Sequence, residues 1–262
     1  MTVDLKHYEQ GDPDAPAVFL APALGTSLAL WERLAGSLSD AFRVVRVDLR
    51  GHGGSASAAG PTTVTDLAED VLGVADDLGI ETFAHVGISL GGAVGLTLAL
   101  DHPDRVEALV LVDSAARFGD PASWTERAAR VRAEGMAWLD APTRERWFTP
   151  DFRETHRYEV DEVMRMLTSN SPAGYAACCD ALASYDVTGR LGEVRVPTLV
   201  VAGAEDPTAG PDEARVLSDG IPGAGLTVID GVAHLANVAA PEAVEAAVRA
   251  HLTGLHLPGE QR

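Results

Sequence analysis

Short apolar runs alternate with amphipathic stretches from Val3 to about Phe118. The runs Ala17 to Leu20, Arg43 to Asp48, Phe83 to Ile88 and Ala108 to Asp113 are short and rich in apolar and β-branched residues, which predicts strands. Between them, Leu28 to Leu38, Thr65 to Leu78 and Leu90 to Leu100 carry helical character. The second opens on Thr63 or Thr65 as N-cap, followed by acids that suit the positive end of a helix. Strands that alternate with helices in this way predict a parallel sheet covered on both faces.

From about Gly119 to Gly189 the strand signal stops, and helix formers, aromatics and arginines take over. Strand-like runs resume at Thr198 to Ala202 and Leu226 to Ile229, with helices near Asp212 to Ile221 and Pro241 to Leu252. The expectation is an α/β fold with a mostly parallel central sheet and helices on both faces. Residues 1–118 and 190–262 would form its core and 119–189 a helical cap, or lid. A chain of 262 residues is long enough for such a core and a modest insertion.

Composition narrows the partners. The chain is 46% hydrophobic and 23% charged, ordinary for a globular protein, and its net charge of −19 opposes binding to nucleic acid. Residues 117 to 190 hold 10 arginines against 12 acids, net −2, so the insertion is the least anionic part of the molecule. Thr82 to Leu100 is nearly long enough to span a bilayer, but its flanks are Glu81 and Asp101 and its pattern changes midway from strand to helix, so no membrane span is predicted. The first residues lack a basic start followed by an apolar run, and a cytoplasmic enzyme is the expectation. The two cysteines, Cys178 and Cys179, are adjacent in a helical stretch and read as small buried side chains rather than a disulfide framework.

Gly87-Ile88-Ser89-Leu90-Gly91 matches G-x-S-x-G where an apolar strand gives way to a helix. A turn tight enough to expose a serine needs neighbours without bulk, and the following helix aims free N–H groups at a developing oxyanion. A phosphate-binding glycine turn is the bland alternative. The sequence holds neither G-x-G-x-x-G nor a Walker lysine, its one lysine being Lys6. Ser89 is therefore the candidate nucleophile.

A serine hydroxyl needs a base, and five histidines follow it. His102 lies at the far end of the serine's helix, His156 in the insertion, and His251 and His256 at or beyond the last helix. His234 follows the last predicted strand and so emerges at the same sheet edge as Ser89. The acid must leave that edge too, and two carboxylates qualify. Asp206 is favoured, since Pro207 and Thr208 form a turn behind it and its strand neighbours that of His234. Asp113, at the end of the run Leu109 to Val112, stays open, with Glu205 third. The oxyanion hole is expected to use the backbone N–H groups of Leu90 and of Leu24, in the loop Ala21-Pro22-Ala23-Leu24-Gly25-Thr26. The turn Asp48 to Ser55 on the same edge reads as structural. No metal-ligand cluster is visible, and no metal or organic cofactor has a task in this chemistry.

With these residues in place the chain resembles the 3-oxoadipate enol-lactone hydrolases of the α/β-hydrolase superfamily over nearly its whole length. Asp48 to Ser55 and Gly87 to Gly92 mark only the superfamily. More specific are Leu24 to Ser27, Arg127 to Met136, Arg146 to Pro150, Gly174 to Cys179 and Ala233 to Val238. Leu90 stands where methionine is common, and Ala236 where serine is common. The resemblance implies a triad of Ser89, Asp206 and His234, no cofactor and a small anionic lactone as substrate. With little chain after the last helix, it implies lactonase activity alone. A general carboxylesterase or a carbon–carbon bond hydrolase would use the same triad, and a ligand-binding protein without catalysis is the rival of another class.

The implied substrate carries an acetate side chain that the overall charge repels, so donors in the insertion must receive it. Arg130, Arg132, Arg144 and Arg146, with the indole N–H of Trp124 or Trp147, are the nearest supply. Trp147, Trp124 and Arg130 are the expected contacts.

Overall fold

A computed structural model describes residues 2–58 and 60–254; His256 lies outside them. Seven strands form one sheet: β1 (His7–Gln10), β2 (Ala17–Ala21), β3 (Arg43–Val47), β4 (Phe83–Ile88), β5 (Val106–Val112), β6 (Thr198–Gly203) and β7 (Gly225–Ile229). Their order across the sheet is β1-β3-β2-β4-β5-β6-β7. β1 pairs antiparallel with β3, and every other pairing is parallel. All six strands after β1 coincide closely with predicted runs. β1 went unpredicted because it is a four-residue edge strand with no buried position, and so has no apolar run to betray it.

The register decides where the chemistry can sit. Ile88 pairs with Val112, Val112 with Val201 and Gly203 with Ile229, so the carboxyl ends of β4 to β7 finish side by side. The crevice beyond that edge is where open α/β sheets bind ligands.

The helices of the first half are α1 (Glu32–Leu38), α2 (Val64–Asp77) and α3 (Leu90–Asp101). The stretch predicted as one helix from Leu28 divides into a 3₁₀ turn, Leu28–Trp31, followed by α1. Thr63, not Thr65, caps α2: its Oγ1 accepts the Asp66 N–H at 3.1 Å and Asp66 Oδ2 accepts the Thr63 N–H at 2.9 Å, a reciprocal capping box. α3 is buried on all sides from Leu90 to Leu100. That burial accounts for the apolar run that raised the question of a membrane; no helix among the described residues is long and apolar enough to cross one.

Between β5 and β6 the chain forms α4 (Pro121–Glu134), α5 (Asp140–Trp147), α6 (Pro150–Thr155), α7 (Arg157–Ser169) and α8 (Pro172–Ala183). Three of these helices begin on a side-chain cap with proline in the first turn, from Asp120, Thr149 and Ser171. α9 (Pro211–Gly220) follows β6, and after β7 come α10 (Ala236–Ala239) and α11 (Pro241–Thr253). Cys178 and Cys179 are free and buried in α8, where burial pushes both thiols up to about 12, leaving them protonated and inert.

The loop after β3 is a brace. Asp48 accepts the backbone N–H of Leu28 at 2.6 Å and of Gly54 at 2.8 Å. Arg50 makes a buried pair with Asp70 of α2 at 2.6 Å. Gly51 lies so close to Gly174, at the start of α8, that a Cβ on it would fall 2.4 Å from the Gly174 Cα. This loop therefore holds α8 against the sheet edge, which is the structural role its sequence suggested.

Candidate active site

Ser89 occupies the turn between β4 and α3 with φ 54° and ψ −116°, a conformation rare for any residue but glycine. Its neighbours make the turn possible. A Cβ on Gly87 would fall 2.1 Å from the Gly91 carbonyl oxygen, and one on Gly91 would fall 2.2 Å from that of Ala21. The turn is tied down by Ser89 N–H donating to Val112 O at 2.9 Å and by Ser114 Oγ donating to Ser89 O at 2.9 Å.

Three of the predicted site residues come together at this edge. His234 Nε2 lies 2.9 Å from Ser89 Oγ, and His234 Nδ1 lies 2.8 Å from Asp206 Oδ2. Ser89, His234 and Asp206 arrive from the ends of β4, β7 and β6, and all three are buried. Asp206 Oδ1 accepts the Thr208 N–H at 2.7 Å, the turn expected to fix this side chain. Beyond His234, Asn237 Nδ2 donates to Leu30 O at 3.0 Å and fastens the start of α10 to the 3₁₀ turn before α1.

Asp113 plays a different part. Its Oδ1 accepts the N–H of Gly203 at 2.8 Å and its Oδ2 that of Ala236 at 2.8 Å. It thus ties the end of the Asp206 strand to the loop of His234 without a hydrogen bond to the imidazole. Burial, then the neighbouring Asp206 charge, push its carboxyl up to about 8, against His234 and the two backbone donors. For His234, burial disfavours the charged ring, but the charge and hydrogen bond of Asp206, helped by Asp113, outweigh it. The imidazole is left above its ordinary 6.5.

The Leu24 N–H and Leu90 N–H have no protein acceptor among the described residues. Leu24 lies in the loop after β2 and Leu90 in the first turn of α3 beside Ser89. Gly25, at φ +83°, supports the first of these: a Cβ there would meet Leu167 of α7 at 2.6 Å and the Tyr175 ring of α8 at 3.1 Å. The helices between β5 and β6 are therefore packed directly on the loop that carries Leu24.

The expected substrate contacts fare unequally. Trp147 is buried at the end of α5, and its indole N–H takes no protein acceptor among the described residues. Trp124 donates its indole N–H to Phe118 O at 2.8 Å, so that donor is already used. Arg130 lies on the outer side of α4, bonded to Glu134 at 2.9 Å and stacked 4.0 Å from the Trp138 ring centre. Its charge is thus taken up by Glu134 and by the face of the Trp138 ring. Arg127, on the inner side of the same helix, was not singled out as a contact. Its i+3 spacing from Trp124 and i−4 spacing from Val131, both buried, is the signal that could have found it.

A fold of this topology, with a serine held on a strained turn and a histidine and carboxylate delivered by neighbouring strand ends, defines a class. A family profile described as the alpha/beta hydrolase fold matches residues 16–241, and the chain belongs to that family. Within it, the chain is 35% identical over 248 residues to 3-oxoadipate enol-lactonase 2 of Acinetobacter baylyi, covering 95% of this chain and 92% of the relative. The crystal structure of the enol-lactonase from Burkholderia xenovorans LB400 is similar with a TM-score of 0.93 at 35% identity, covering 96% of this chain and 97% of that one. RutD of Caulobacter sp. strain K31, named for carbamate hydrolysis, is 34% identical over 262 residues, covering 97% of each chain.

Proposed function

We propose that this chain is a serine hydrolase that opens the lactone ring of 3-oxoadipate enol-lactone to give 3-oxoadipate, with residues 119–189 as a cap over the site. The observation that carries this reading is the buried relay from Ser89 Oγ through His234 to Asp206, beside two N–H groups free to bind an oxyanion, in a chain similar to enol-lactonases.

In this reading Ser89 Oγ attacks the lactone carbonyl while its proton passes to His234 Nε2. Asp206 holds Nδ1–H in place and stabilises the imidazolium. The N–H groups of Leu24 and Leu90 receive the oxyanion. Collapse of the tetrahedral intermediate breaks the ring C–O bond and expels an enolate, a delocalised and easily released leaving group, which takes up a proton to become the ketone. The acyl-enzyme is then attacked by water that gives its proton to His234, and Ser89 leaves with that proton restored. No step calls for a metal or an organic cofactor.

The test is turnover of the purified enol-lactone, followed as loss of the ring and gain of 3-oxoadipate, with labelling by a fluorophosphonate probe alongside. Turnover with labelling at Ser89 is expected. Labelling without lactone turnover, but with hydrolysis of a small carbamate, would replace the substrate. Neither labelling nor turnover would leave a binding protein.

The charge on His234 sets the pH profile. The base must be neutral, and the Asp206 carboxylate favours the protonated ring, so kcat/KM is expected to rise with pH through a midpoint above about 6.5. Removing the Asp206 charge should move that midpoint down. A profile flat from pH 5 to 8 would contradict the assignment of His234 as base.

A further inference from the structure

The five arginines of α4 and α5 differ in one respect. Arg130 bonds Glu134, Arg132 pairs with Asp180, and Arg144 reaches both Asp140 and Asp161 at 2.7 Å. Arg146 and Arg127 have no carboxylate partner among the described residues. Among the described residues the Arg146 guanidinium reaches only Thr143 Oγ1, at 3.2 Å and within its own helix. Arg127 lies 4.5 Å over the Trp124 ring.

Both arginines are half-buried and each lies within the other's field. The Tyr175 ring rests against Gly25, next to Leu24, and its hydroxyl lies in the field of the Arg127 charge, while the Arg146 charge disfavours the protonated His234 ring. Burial and the nearby Arg127 charge make the Arg146 cation less favourable than in water. Two like charges withdrawn from solvent with no acid between them are costly unless an anion joins them. In a protein of net charge −19, long-range attraction cannot bring a carboxylate in, so a local pair of cations must hold it.

We propose that Arg146 and Arg127 form the carboxylate subsite of this enzyme, selecting ester substrates that carry an anionic side chain, with Arg146 the principal contact. The guanidinium fork suits a carboxylate, and the Trp147 indole N–H beside Arg146 is free to donate as well. The inference rests on the proposed serine hydrolase chemistry at Ser89 and adds the residues that read the substrate's charge.

Ring opening of the enol-lactone and of its uncharged methyl ester is measured for the wild type, Arg146→Met, Arg127→Met and Arg165→Met. The last removes an exposed charge paired with Glu162 on α7. The ratio of kcat/KM for the charged over the neutral lactone is expected to fall on the order of 10- to 100-fold in Arg146→Met, mainly through KM, as for loss of a charge-assisted hydrogen bond. It should fall less in Arg127→Met, recover partly in Arg146→Lys, and hold in Arg165→Met. An unchanged ratio in both Arg146→Met and Arg127→Met overturns the subsite. A second readout is independent of turnover. In a Ser89→Ala background, calorimetric titration with adipate should show binding that Arg146→Met abolishes and that dimethyl adipate does not reproduce. Absence of adipate binding, or binding that survives Arg146→Met, overturns the subsite whichever ester is hydrolysed. Failure of the enol-lactone alone, with adipate binding intact, would instead overturn the proposed substrate.

Discussion

Ser89→Ala is expected to lower kcat by about 10⁴- to 10⁶-fold while the protein stays folded, since members of a hydrolytic triad act as a unit and what survives their loss comes from the oxyanion hole and binding. The geometry makes the two halves of this expectation separable. Among the described residues Ser89 Oγ has one protein partner, His234 Nε2, so its removal deletes the nucleophile and leaves the imidazole with no proton to take. The strained turn is borne by the backbone of Ser89 and by the glycines around it, and alanine changes neither. Loss of one side-chain hydrogen bond costs about 1 kcal/mol, which for a chain of this size moves Tm by roughly 2–4 °C. His234→Ala should be as damaging to kcat. Its stability cost should be larger, because it opens a cavity beside Asp206. The checks are steady-state kinetics and thermal unfolding on the same preparations, and full activity in a folded Ser89→Ala protein would remove Ser89 from the mechanism.

The core and the relay were legible in the sequence for the same reason. A parallel sheet needs buried, apolar strands, and such runs stand out; residues that follow them must then gather at one edge. Ser89, Asp206 and His234 each sit within five residues of a strand end, so their meeting followed from topology alone. Edge strand β1 escaped because only its hydrogen bonds to β3, and no apolar face, make it a strand. The arginines were harder. Which of them is neutralised depends on partners distant in sequence, such as Asp180 for Arg132 and Asp161 for Arg144, and no local pattern announces those pairs. Helical phase would have helped more than charge. Arg146 follows buried Thr143 by three positions, as Arg127 follows Trp124, which places both on the inner faces of α5 and α4, whereas Arg130 falls outside the stripe of Trp124, Ala128 and Val131.

The two carboxylates beside His234 were the closest contest in the sequence, and they yield the second large effect. Asp206→Asn should reduce kcat about 10⁴-fold, because Asp206 uses one oxygen for His234 Nδ1 and the other for the Thr208 N–H, and an amide can serve only one of them as acceptor. Either the histidine loses its orientation or the loop loses its turn, and in both cases the imidazolium formed during attack has no anion beside it. Asp113→Asn should cost about tenfold or less, since among the described residues Asp113 bonds only to backbone, at Gly203 and Ala236. Its effect belongs to stability, where one backbone N–H left facing an amide N–H₂ costs roughly 1–3 kcal/mol. The pH dependence identifies that role. A carboxyl raised from 3.8 to about 8 in the folded state keeps its proton where the unfolded chain has lost it. Its favourable contribution is therefore complete below about 3.8 and drains away as pH climbs toward 8. Asparagine cannot ionise, so the Tm deficit of Asp113→Asn relative to the wild type should be widest near pH 4 and narrow by pH 8. Thermal unfolding across that range, with kcat at one pH for both variants, decides the matter: if Asp113→Asn proves the more damaging to turnover, the acid of the relay is Asp113 and the Asp206 bond to His234 is only structural.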